Sequence, residues 1–287
     1  MYVYFYADKI IGKYRHIKSK AHRVNMFDYH PEVEFDIRYN NSRWNLGDYL
    51  GFVVTTWMLE KRGLSLDTWV KKRKHFNSIG SNVFSGFQNI TYWGSGLKIN
   101  AKYTFLYRFP FCRYDFRAVR GPLTREIVLK YGHKCPETYG DPAILMPLIY
   151  HPQIEKEHDV LVIPQLVNEV SFRREHPDLL MASMNTDDYK SVIDLIISSR
   201  KVITSSLHAI ILSEAYGVPC VWYRGLPEYK DFKYLDYYAS TARKINKIAK
   251  SYEEALEMEP LPLPDLKELQ KGLLETFPYD LWEKQLK

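Results

Sequence analysis

The sequence predicts an α/β protein made of two Rossmann-like domains that face each other across a cleft, on three observations. Asp159-Val160-Leu161-Val162-Ile163 is a short apolar run without alternation, the pattern of a strand buried on both faces of a parallel sheet. After it, strand-like and helix-like segments alternate with short connections, a βαβαβ rhythm that requires a parallel sheet covered by helices. Before it, residues 76–80 and 89–93 look like short strands, the first ending in Gly80 and the second followed by Gly94, as strands feeding tight turns do.

In chain order, residues 3–6 predict a first strand, and residues 9–43, which have no clear period, predict a loop-rich segment. Residues 45–62 predict a helix, because Leu50, Val53, Val54, Trp57 and Met58 recur on one face and Gly63 closes it. The strands at 76–80 and 89–93 are followed by an alternating strand at 114–119. A helix is then predicted over 122–131, with Pro122 in its first turn and Gly132 past its end. The polar stretch 150–159 carries Pro152 and marks a domain boundary, giving domains 1–150 and 151–287. The second domain is predicted to run strand 159–164, helix 188–198, strand 201–204, helix 206–216 and strand 219–223. From Tyr252 a helical tail follows, interrupted at Pro260-Leu261-Pro262-Leu263-Pro264. Ligands of such folds bind beyond the carboxyl ends of the strands.

Composition narrows the class. The chain has 287 residues, 46% hydrophobic and 26% charged, the profile of a globular protein with a full core. Its 23 tyrosines suit sugar or protein contacts and equally suit half-buried core positions. The densest basic run, Lys71-Lys72-Arg73-Lys74, has no nucleic-acid motif beside it and reads as a solvated helix end, so no nucleic-acid partner is expected. The net charge of +6 fits an anionic small molecule or peripheral contact with an anionic membrane face. Cys112, Cys135 and Cys220 form no CxxC pair, which argues against a disulfide framework and a structural zinc site and favours a reducing compartment. The start of the chain reads as a strand and not a signal peptide, and no run approaches the ~20 apolar residues of a membrane span. The expected location is cytoplasmic, with peripheral contact at the inner face of the membrane left open.

Four segments stand at strand-to-helix junctions, where backbone N–H groups and the helix dipole collect anions. Asn45-Leu46-Gly47-Asp48 offers a glycine for close backbone approach and a carboxylate that caps or accepts from a hydroxyl; alone it is an ordinary helix start. Gly94-Ser95-Gly96 makes a tight turn with exposed amides but is neither GxGxxG nor a P-loop. In Val119-Arg120-Gly121-Pro122 a strand delivers Arg120 to its end, over a helix start, where a guanidinium fork suits phosphate or carboxylate. The competing reading is a salt bridge to Glu126 or another acid. In Ser205-Ser206-Leu207-His208 a strand ends, a serine caps, and His208 enters the first helical turn while Leu207, Ile210 and Ile211 form the buried side. A helix N-terminus disfavours imidazolium, so His208 is expected to be neutral when free. HExxH, a carboxylate–histidine cluster at metal spacing, GxSxG and a strand-end DxD are all absent, and Asp187-Asp188 reads as a helix cap. No metal and no cofactor are expected.

Taken in order, Asn45–Asp48, Trp93–Gly96, Val119–Thr124, Gly140-Asp141-Pro142-Ala143, Ser205–Ala209, Glu214–Pro219 and Phe232–Tyr238 resemble the polysaccharide pyruvyl transferase family, nearest to its ketal-forming enzymes of bacterial exopolysaccharide and capsule assembly. The resemblance spans about residues 45–238. It implies a GT-B-like fold, phosphoenolpyruvate as donor co-substrate, and a sugar of a glycan or lipid-linked oligosaccharide as acceptor, with a cyclic pyruvate ketal as product. It implies that His208 is the catalytic acid and Arg120 the donor-binding arginine. Ser205, Ser206, Leu207, Gly94, Ser95 and Gly96 are expected around the donor, and Asn45, Gly47, Asp48 and Arg224 in the acceptor part of the cleft. Domain 1–150 is then the acceptor side and 151–287 the donor side. Some relatives carry arginine where Ser206 stands, so another base must match that charge; Arg43, Lys98, Arg117 and Arg224 are the candidates. The alternatives are a GT-B glycosyltransferase using a nucleotide-sugar and a non-catalytic glycan-binding component of an assembly complex.

Overall fold

The computed structural model describes residues 2–4, 45–66, 75–84, 90–97, 113–225 and 231–283. The predicted loop-rich segment 9–43, the basic run 71–74, and Cys112, Arg43 and Lys98 lie outside them. The described chain is mixed α/β with two parallel sheets. Strands β1 (Tyr2–Tyr4), β2 (His75–Asn77), β3 (Ile90–Trp93) and β4 (Tyr114–Ala118) form one sheet in the order β1-β2-β3-β4. Strands β5 (His158–Ile163), β6 (Ser199–Thr204) and β7 (Cys220–Trp222) form the other in the order β5-β6-β7. The unbroken apolar run of β5 sits beside β6, with Leu161, Val162 and Ile163 buried, as strands covered on both faces require.

Helix α1 (Leu46–Glu60) follows the first described gap, and α2 (Pro122–Lys130) follows β4. Helices α3 (Glu169–Glu175) and α4 (Tyr189–Ser198) lie between β5 and β6, and α5 (Leu207–Ala215) between β6 and β7. Helices α6 (Phe232–Ser240), α7 (Tyr252–Glu257) and α8 (Lys267–Thr276) complete the described set. The Asp188 carboxylate caps α4 by accepting from the Ser191 amide at 3.2 Å, as the sequence suggested for this pair of acids.

Three elements are not foreseen by the sequence reading. Residues Pro142–Leu148 form a 3-10 helix although they contain two prolines; Pro142 takes the first position, where its missing N–H is no loss. This short helix packs against α1, α5 and α8, so it joins elements that follow both sheets. Helix α6 is rich in tyrosine, a mediocre helix former, and is held by burial of Tyr234, Tyr237 and Tyr238 at helical spacing. Helix α3 is short and buries only Phe172. The strand predicted at 76–80 stops at Asn77, because Gly80 adopts a positive φ of 120° in the turn that follows.

One hydrophobic cluster runs from α1 and β2 through the 3-10 helix to β5, β6 and α5. The tail after α7 crosses back to the first sheet. The Trp93 indole N–H donates to the Leu273 carbonyl at 3.0 Å, the Tyr279 hydroxyl donates to the Met58 carbonyl at 2.9 Å, and Phe76 packs among Trp93, Phe277 and Trp282. Each such buried aromatic contributes on the order of 2–3 kcal/mol, so this return fixes the first sheet to the rest of the chain. No described helix is long and apolar enough to cross a membrane.

Candidate functional site

The site forms where the N-termini of α1 and α5 meet. Strand β6 ends at Thr204, whose hydroxyl accepts from the Ser206 amide at 2.9 Å and so turns the chain into α5. Ser206 is the extended residue before α5, and its side chain makes no capping bond to the helix. Asn45 stands in the same position before α1 and likewise caps nothing; its amide donates instead to the Asp48 carboxylate at 2.6 Å. Leu46 is tied to the second half of the chain by its amide, which donates to the Met184 carbonyl at 2.9 Å.

His208 lies on the first turn of α5 and touches α1 at Gly47. A Cβ on that glycine would fall 1.8 Å from Nδ1, so only glycine permits the approach. The imidazole is 14% exposed, and its Nε2 points to the Asp141 carboxylate, 3.8 Å away. Burial, with the charges of Lys233 and Arg120 adding to it, lowers the His208 pKa to about 3, which keeps the ring neutral near pH 7. Burial, and not the helix dipole, is the principal cause of the lowered pKa.

A cavity of about 220 Å³ opens over this junction. Asn45, Asp48 and Ser81 line it from the first half of the chain, and Gln165, Ser206, Leu207, His208 and Lys233 from the second; Leu166, Val167 and Met184 add an apolar wall. Of the residues expected at a ligand, Asn45, Asp48, Ser206, Leu207 and His208 are therefore brought together, with Gly47 beneath the histidine. Ser205 lies just behind, where its hydroxyl accepts from the Gln165 amide at 2.9 Å.

Arg120 is completely buried, and its guanidinium fills the space that a side chain on Gly96 would take. It donates to the Ser81 hydroxyl at 2.8 Å and to the Leu97 carbonyl at 2.6 Å, and its Nε lies 3.4 Å from the Asp236 carboxylate. The acid that meets Arg120 is thus Asp236 and not Glu126. Arg120 reaches the cavity through Ser81, one layer back from the lining. Gly94-Ser95-Gly96 also stands behind the wall. Gly94 has a φ of +85° and abuts Pro142, while the Ser95 hydroxyl donates to Asn77 at 3.0 Å. Arg224 is paired with Asp231 and is not part of the lining. Arg117 is held by Asp115 at 2.9 Å and Asp280 at 3.1 Å.

The basic side chain that does line the cavity is Lys233, which the sequence reading did not single out. Helix α6 presents it because the neighbouring residues are anchored. Tyr234 stacks on Trp222 with ring centroids 4.3 Å apart, and the Tyr237 hydroxyl donates to Glu214 at 2.7 Å. Asp236 caps α2 by accepting from the Thr124 amide at 2.9 Å and its hydroxyl at 2.6 Å. The Lys233 ammonium sits 4.8 Å from the Tyr234 ring centroid. The usable signal was Lys233 and Asp236 one helical turn apart in the stretch 232–238; Ser81 and Gln165 carried none.

Two parallel sheets, with a histidine and a lysine lining one cavity at helix starts, define a mixed α/β protein. The profile of the family described as polysaccharide pyruvyl transferase matches residues 28–225, and the chain belongs to that family. It is 29% identical over 159 residues to the uncharacterized protein L143 of Acanthamoeba polyphaga mimivirus, a match covering 52% of this chain and 53% of the relative. The chain thus spans about half the length of that curated relative. A crystal structure of a functionally uncharacterized Klebsiella pneumoniae protein is similar with a TM-score of 0.44 and 14% identity, covering 68% of this chain and 83% of that one.

Proposed function

We propose that the protein transfers the enolpyruvyl group of phosphoenolpyruvate to a sugar of a surface glycan and closes it into a pyruvate ketal. The observation that carries this reading is a neutral, nearly buried histidine facing a lysine across one cavity at two uncapped helix starts, in a chain of this family. Phosphoenolpyruvate brings a phosphate and a carboxylate. Lys233 and the first-turn amides of α5 suit one, and Ser81, backed by the Arg120 charge, suits the other. Lys233 takes the part of the base that Ser206 lacks.

The anionic donor offsets the positive charges that hold His208 neutral, so its binding favours the imidazolium. That imidazolium gives a proton to the donor's methylene carbon. The adjacent carbon becomes oxocarbenium-like and bonds to an acceptor hydroxyl oxygen, whose proton returns to the histidine. Departure of phosphate breaks the remaining C–O bond, and a second hydroxyl closes the ring, its proton leaving with phosphate. Such an acid is worth about 100- to 10,000-fold in rate.

Lys233, His208 and the α5 amides come from 151–287 and Ser81 and Arg120 from 1–150, so in this reading both halves of a GT-B-like pair grip the donor, and Asn45 and Asp48 of 1–150 are left to the acceptor. A phosphoenolpyruvate donor implies work in the cytoplasm, with a lipid-linked acceptor met at the inner membrane face. In a thermal-shift comparison phosphoenolpyruvate raises the melting temperature and nucleotide-sugars do not. The reverse result supports a nucleotide-sugar transferase and overturns the proposal.

A further inference from the structure

We propose that Asp141 is the positioning residue for His208, accepting a hydrogen bond from the Nε2–H of the imidazole so that Nδ1 carries the proton delivered to the donor. This rests on the pyruvyl-transfer reading of the cavity and extends it to the layer behind the histidine. Asp141 is the residue before the 3-10 helix and is completely buried. One carboxylate oxygen accepts from the Ala143 amide at 3.1 Å. The other, Oδ2, has no hydrogen-bond partner among the described residues, and the same is true of His208 Nε2. Both atoms are closed off from solvent, and they lie 3.8 Å apart. A buried carboxylate oxygen left unpaired costs stability, and a native group of this kind calls for a role. The 3.8 Å separation is ~0.6 Å beyond the ~3.2 Å reach of an N–H···O bond, the distance that protonation of the ring would close. At the other end of the ring Nδ1 lies against Gly47 of α1, a contact that the missing side chain makes possible.

The charges around the pair explain its timing. Lys233 of α6 and Arg120 after β4 act against protonation of His208, and Asp48 stands at the start of α1. Asp236 lies next to Arg120 and acts on Asp141. Burial raises Asp141 to about 6, so at pH 7 the free protein holds an ionised carboxylate against a neutral ring. When the anionic donor offsets Lys233 and Arg120, the ring takes a proton from solvent and an Asp141–imidazolium pair forms. The Nδ1–H bond then breaks as the methylene C–H bond forms, and the acceptor hydroxyl proton restores Nδ1–H. Asp141 keeps its charge throughout.

The test uses the full chain with Asp141→Asn, and Asp141→Ser as a second variant. Both side chains keep the bond to Ala143, so a residue that merely caps survives the change. The wild-type His208 ring is expected by ¹⁵N NMR to hold its proton on Nε2, and its titration midpoint rises when phosphoenolpyruvate is added. In the variants the Nε2 preference disappears and the midpoint no longer rises. Turnover (kcat) falls about 10- to 1,000-fold with KM for phosphoenolpyruvate nearly constant, and the alkaline limb of the kcat profile moves to lower pH. An unchanged tautomer, wild-type kcat in both variants, or a loss confined to KM overturns the assignment. The tautomer is read without any donor. A wild-type protein that shows the Nε2 preference yet never turns over phosphoenolpyruvate supports the contact and overturns the donor reading instead.

Discussion

Replacing Gly47 by alanine displaces the His208 ring while leaving its chemical composition unchanged. The new methyl carbon would stand 1.8 Å from His208 Nδ1, 2.3 Å from Cγ and 2.6 Å from Cε1. An ordinary contact needs about 3.4 Å, so the ring and the helix start must part by about 1.6 Å. Gly47 lies in the first turn of α1 with no positive φ, so alanine meets no backbone strain and gains up to ~1 kcal/mol of helix propensity. Overpacking of this kind costs ~1–3 kcal/mol, leaving a net loss of at most ~3 kcal/mol and a melting temperature lowered by roughly 2–4 °C per kcal/mol lost. A reacting group misplaced by ~1 Å loses ~100-fold in rate. Phosphate release from phosphoenolpyruvate in the presence of acceptor glycan should therefore fall at least ~100-fold while circular dichroism stays close to wild type. A folded Gly47→Ala protein that keeps turnover within about threefold of wild type would refute the placement of His208 as the acid.

His208→Ala should remove ~100- to 10,000-fold of turnover and leave the fold intact, checked by single-turnover kinetics and near-UV circular dichroism. Lys233→Met should raise the KM for phosphoenolpyruvate by ~10- to 100-fold, the worth of a hydrogen bond to a charged group, with melting unchanged; initial-rate kinetics measures it. Arg120→Ala should cost ~3–5 kcal/mol in denaturant unfolding, because Asp236 is left buried without its cation, and should raise the donor requirement as well. Acidification separates the two partners of the dyad. His208, at about 3 when folded, binds its proton only in the unfolded chain between about 6.5 and 3, so it favours unfolding as pH falls through that window. Asp141, at about 6 when folded, works the other way between about 6 and 3.8. The melting temperature of His208→Asn relative to wild type should therefore rise as pH is lowered from ~7 to ~5.

The elements that carry the cavity were legible because their signals are local. Helix α1 shows an apolar face and a closing glycine, α2 is opened by Pro122, β5 is a short apolar run, and β6 brings Val202 and Ile203 just before turn residues. His208 followed from its place just after a parallel strand. What the sequence hid depends on contacts between distant segments. Arg120 reads as a fork aimed at a ligand anion, yet it is buried because Gly96 leaves room for its guanidinium and Asp236, far along the chain, supplies an opposite charge. Lys233 sits in a tyrosine-rich segment whose helical character comes from Tyr234 on Trp222 and Tyr237 on Glu214. Asp141 precedes a helix with two prolines, a pattern that reads locally as a break, and its nearness to His208 appears only when the 3-10 helix packs on α5.

The most direct measurement is mass spectrometry of an isolated surface glycan after incubation with the protein and phosphoenolpyruvate, with inorganic phosphate measured alongside. The glycan should gain the mass of pyruvate less water, with one phosphate released per group added, and neither change should occur with His208→Ala. A glycan left unaltered, or one altered equally by the His208→Ala protein, would contradict the account.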